Sequence, residues 1–242
     1  MKREKIALLT TIIYIAIMGV GMITANIVGI KYGTPDIFKV IFFFEVIMSI
    51  LVVVIYKRLG LNLFKTKFKF SKWTIPYIVI LIIGIVTLVT TGKFTESLPL
   101  LFLVLISTML VGFSEELMFR GILLNVLLEK RSTLFAIMVS SAGFSLLHVV
   151  NLFANASLKG TIVQLIDTFL VGLIFSCILI LTKNIIPLMI FHFVWDFVLI
   201  SNPITHAKVE LVTILDILIT FIIVVPIMVY TVKRTKNERI AR

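Results

Sequence analysis

The chain has 242 residues, 60% of them hydrophobic, a net charge of +11 and a mean hydropathy of +1.17. Soluble domains are usually about 45–50% apolar, and long apolar runs recur here, so a soluble globular protein is excluded. The basic residues lie between the apolar runs and not on one soluble face, which argues for membrane topology and against a nucleic-acid partner.

The first element is the stretch 6–30, too long for the roughly 7–15-residue core of a signal peptide. It reads as a retained membrane helix. Further spans follow at 37–56, 73–91, 98–128, 133–151, 161–181, 185–200 and 209–231, against a requirement of about 20 apolar residues per span. The pattern predicts an all-α polytopic membrane protein, a bundle of about eight transmembrane helices enclosing a polar cavity. Residues 1–242 form one transmembrane domain, with 98–200 as its core. Alternating short strands, the mark of a membrane β-barrel, do not occur. The single Cys177 excludes an intramolecular disulfide and reads as packing.

Orientation follows from the cations. With both termini in the cytoplasm, all of the 23 Lys and Arg fall on inner segments except Lys31, Lys39, Lys93, Lys159, Lys208 and the intramembrane Arg120. This bias is the positive-inside pattern and supports that orientation and an even helix number; the expected location is a bacterial plasma membrane. The loop 57–72 interleaves basic and aromatic residues, as a segment lying on anionic lipid does.

Within 98–128 stand three charges, Glu115, Glu116 and Arg120. A charge at the centre of a membrane helix costs roughly 2.5–3.5 kcal/mol, so three unpaired ones would cost on the order of 8–10 kcal/mol. Glu116 and Arg120 are four apart and can pair on one face. Glu115 is rotated away by about 100° and needs a partner elsewhere, or water. The span 133–151 supplies Phe144, His148 and Asn151 near one stripe. The span 185–200 supplies His192 and Asp196, four apart. Counted from the helix ends, these groups reach a similar depth. Glu45, midway along 37–56, is a further candidate to line the cavity. Interfacial solvation or interhelical hydrogen bonding accounts for Asp167 and Asp216.

A carboxylate in such a cavity can act as general base towards water. A histidine can share that work or donate to a developing oxyanion. No serine or cysteine sits in a nucleophile motif, so covalent catalysis is disfavoured. Zinc held by Glu115, His148 and His192 is a rival chemistry, although no HExxH is present.

Three short motifs carry a family resemblance: "EELMFR" (Glu115, Glu116, Arg120), "FSLLH" (Phe144, His148) and "HFVWD" (His192, Asp196). In this order they resemble the EExxxR, FxxxH and Hxxx(N/D) motifs of the CAAX protease and bacteriocin-processing (Abi) family of intramembrane endopeptidases. The resemblance implies hydrolysis of a peptide bond by glutamate-activated water, on CAAX-type or secreted or leader peptides. Glu115 would activate the water, supported by Glu116 and Arg120. His148 would assist, and His192 with Asp196 would contact the scissile carbonyl. An ionised Asp196 cannot donate to an oxyanion, so either it is protonated or it orients His192. The substrate would come from the bilayer or the cytoplasmic side. The competing function is a bacteriocin immunity or scaffold protein that binds without cutting. The partners implied are a peptide or protein substrate and membrane lipid.

Overall fold

A computed structural model describes residues 2–94 and 97–240; Arg242, counted above among the inner cations, lies outside the described residues. Helices α1 (Lys2–Ile27), α2 (Phe38–Arg58), α3 (Ile75–Thr91), α4 (Leu98–Leu128), α5 (Thr133–Leu147), α6 (Leu158–Thr182), α7 (Ile186–Ile200), the short α8 (Asn202–Thr205) and α9 (Glu210–Ile240) follow in order. No strand occurs among the described residues. The all-α polytopic expectation is borne out. Seven described helices are long and apolar enough to cross a membrane, and the eighth expected span, α7, is only 15 residues long.

Local chemistry sets the boundaries. Proline occupies the first turn of α3, α4 and α7, where its missing N–H has no partner to lose. The Ser132 and Ser157 side chains cap α5 and α6, accepting from the amides of Phe135 and Gly160. Lys183, in the left-handed conformation, ends α6. Large apolar residues such as Ile12, Phe43, Phe102 and Ile222 are exposed, the lipid-facing surface expected of such a bundle. Cys177 is buried.

The connections gather at two ends. At one end, Arg3 pairs with Glu129 and donates to the Leu59 carbonyl, Arg131 pairs with Glu4, and Asn184 donates to the Thr66 carbonyl. This end holds the basic loop 57–72, whose Phe68 and Phe70 are exposed. At the other end, the Tyr32 amide donates to Ala154, the Lys93 amide to Thr205 and the Lys208 amide to the Thr91 hydroxyl. The chain therefore passes from end to end eight times, α7 included, and its N-terminal Lys2 and the Arg234 stretch of α9 share the basic end.

Two helix pairs approach closely through glycine, the first so closely that no Cβ fits. A Cβ at Gly112 on α4 would stand 2.6 Å from the Phe193 backbone nitrogen of α7, and one at Gly172 on α6 would stand 3.1 Å from Ser141 Cα of α5. Such small-residue contacts let membrane helices meet backbone to backbone. Gly112→Ala is expected to lower stability by about 1–3 kcal/mol, the usual cost of overpacking, and to lower activity by moving α7 off α4. Thermal unfolding in detergent checks this; an unchanged midpoint would contradict the close approach.

Candidate active site

The helix α4 changes character where its charges begin. It is α-helical over Leu98–Glu116, π-helical over Leu117–Leu124 and α-helical again over Asn125–Leu128. A π segment shifts backbone bonds to i→i+5 and leaves carbonyls short of their usual donors. The Asn125 side chain donates to the carbonyls of Arg120 and Gly121 and so serves two of them. The sequence periodicity did not reveal this segment, because its apolar residues are buried all round.

Glu116 and Arg120 form the expected pair, Nη1 to Oε1 at 3.0 Å, with both side chains fully buried. The guanidinium also lies over the Phe144 ring, 4.1 Å from its centroid, a contact that suits a planar delocalised cation. The pair is not self-contained, as its spacing alone suggested. The same Glu116 oxygen is 2.9 Å from His192 Nδ1 on α7. An ionised carboxylate only accepts, so Nδ1–H is the donor and His192 Nε2 faces the other way.

On that other side are Glu115 Oε2 at 3.9 Å and Asp196 Oδ2 at 3.5 Å from Nε2. Glu115 is 5% exposed, and its Oε2 has no hydrogen-bond partner among the described residues. Asp196 thus meets the imidazole at Nε2, while Glu116 makes the shorter contact at Nδ1.

His148 ends α5 and opens a 3-10 turn, His148–Ala154, which replaces the last turn of the α-helix expected over 133–151. Residues i and i+3 eclipse in such a turn, so His148 and Asn151 keep a common side. His148 Nδ1 is 3.1 Å from the Phe144 carbonyl. That carbonyl can only accept, which places the Nδ1 hydrogen and leaves Nε2 with its lone pair free. The Phe144 ring meets both His148 and His192 edge-on.

Glu115, His148, His192 and Asp196 all line one cavity of about 430 Å³. Glu45, Phe144 and Asn151 line it as well, whereas Glu116 and Arg120 stand behind its wall. Glu45 accepts from the Ser114 hydroxyl, which in turn pairs with the Tyr14 hydroxyl. Asn151 donates to Gln164, and Gln164 donates to the Tyr32 hydroxyl at the rim. Burial pushes the Tyr32 phenol above its ordinary value, so it stays protonated with a hydrogen to offer. Asp167 and Asp216, expected to be solvated or bonded between helices, line the cavity too. Being ionisable residues in membrane helices, they carried the signal of a functional position. The loop residues Gly33, Thr34 and Pro203 complete the rim. The cavity therefore reaches the end of the bundle opposite the basic loop 57–72.

Zinc fits poorly. Among the described residues no group of three or more His, Cys, Asp and Glu is arranged to hold a metal ion.

Residues 97–198 match the family model described as type II CAAX prenyl endopeptidase Rce1-like. No curated protein matches the chain. The matched segment contains all three motifs.

Proposed function

Since residues 97–198 belong to the type II CAAX prenyl endopeptidase Rce1-like family, we propose that this integral membrane protein hydrolyses a peptide bond within its cavity by means of water activated by Glu115. The observation that carries this reading is the convergence of Glu115, His148 and His192 from three helices on one cavity. A water between Glu115 and His148 would attack the scissile carbonyl carbon and pass its proton to Glu115. His148 Nε2, unprotonated in the tautomer above, can accept the water's hydrogen bond. The oxyanion so formed needs donors in a water-poor site. His192 in its imidazolium form offers Nε2–H, held in aim by Glu116. Asp196, when ionised, steadies that imidazolium and does not itself donate. Collapse of the intermediate breaks the C–N bond, and the leaving amine takes the proton from Glu115. Glu116 and Arg120 touch no reacting atom in this scheme and act as positioning residues.

The side of the mouth bears on the substrate. Under the positive-inside rule the end carrying 57–72 faces the cytoplasm, and the rim at Gly33, Thr34 and Pro203 faces outward. A secreted or leader-type peptide meets this mouth more directly than a cytoplasmic prenylated one does. Proteoliposomes of known orientation test both points. Cleavage is expected when peptide is supplied on the side of residues 28–37. Cleavage solely from the side of the basic loop would overturn the sidedness, and absence of cleavage over a broad peptide library would overturn the activity.

A further inference from the structure

Five carboxylates line the cavity, those of Glu45, Glu115, Asp167, Asp196 and Asp216, and among the described lining residues no Lys or Arg accompanies them. Arg120, the buried cation behind the wall, is committed to Glu116. Of the five, Asp216 alone lies C-terminal to all three motifs. It comes from α9, outside the matched segment. It is 7% exposed, and its Oδ1 has no hydrogen-bond partner among the described residues. A buried carboxylate without a partner is costly, and this one faces a space that a ligand can fill. Asp167 on α6 lies within electrostatic range of it.

The wall between this pair and His192 is aromatic. Phe175 has its ring 6.4 Å from that of His192 and 6.3 Å from that of Tyr77. Tyr77 in turn lies within electrostatic range of Asp216 and Asp167. Phe191 packs edge-on to Tyr77 and stacks with Trp195. A passage walled by rings and closed by carboxylates matches a long aliphatic side chain with a cationic head. The stem lies along the rings and the head meets the acids.

We infer that Asp216, together with Asp167, forms a subsite that accepts the Lys or Arg side chain of a peptide substrate. The inference rests on the endopeptidase reading for its substrate, but its geometry is independent of the motifs. Cleavage is to be measured with the full-length protein on peptide sets that place Lys, or its uncharged isostere norleucine, at each position around the cut. Binding of the same fluorescent peptides to the Glu115→Gln protein is measured in parallel. The wild type is expected to favour a Lys peptide, and Asp216→Asn to reduce the Lys-to-norleucine ratio of kcat/KM, and of binding, about 10- to 100-fold. Equal use of both peptides by the wild type would overturn the subsite, as would a preference that survives in Asp216→Asn. Lys-selective binding abolished by Asp216→Asn, with no cleavage by the wild type, would sustain the subsite and overturn the endopeptidase reading.

Discussion

Glu115→Gln is expected to lower kcat/KM by about 10²–10⁴-fold, the usual contribution of a general base, with the fold retained. The replacement keeps the shape of the side chain and removes its ability to take a proton from water. Glu115 Oε2 has no hydrogen-bond partner to lose, and exchange of a buried carboxylate for a neutral amide removes a desolvation cost. Its thermal midpoint in detergent should therefore equal or exceed that of the wild type. Peptide binding should persist, which separates a chemical role from a binding one. Full cleavage by the variant would end the assignment of Glu115. The wild type stripped of metal by a chelator is expected to keep its rate; loss of activity restored by added zinc would move the chemistry to a metal.

Arg120→Met should have the largest effect on stability. It strands Glu116, fully buried, without its cation, and breaking a buried pair from one side costs about 3–5 kcal/mol. Glu116→Gln strands Arg120 in the same way, and it also weakens the bond that aims His192. The double variant Glu116→Gln/Arg120→Met leaves neither charge behind. It should regain much of the lost stability, since charge compensation and not a single contact is at stake. Recovery should be incomplete because the stack of Arg120 on Phe144 is gone. Thermal unfolding of the four proteins in one detergent closes the cycle. Strictly additive losses would show that the two side chains do not compensate each other.

The eight passes of the chain and the three motifs were legible in the residues, because apolar run length and charge in lipid are strong signals. The convergence of Glu115, His148 and His192 followed from comparing depths along separate helices. Other features were not legible for physical reasons. Helical spacing predicts which residues share a face of their own helix, and so it found Glu116 with Arg120. It says nothing of which face meets a neighbour, and so it missed Glu116 with His192. The π segment leaves a mark only in Asn125, whose side chain serves the displaced carbonyls. The position of the mouth depends on where side chains fail to fill space between helices, and no local pattern encodes that. Asp216 was visible as an acid in lipid, yet without its surroundings it resembled any interfacial carboxylate.

The short helix α7 has a consequence for the lipid around it. Its 15 residues rise about 22 Å at about 1.5 Å each. The hydrocarbon core of a bilayer is about 30 Å thick, whereas α4 on the other side of α7 has 31 residues. The protein is thus thin at α7, and acyl chains beside that helix must compress or tilt to meet it. Bilayer thickness becomes a control on the site: short-chain lipids relax this flank, and long-chain lipids strain the very helix that carries His192.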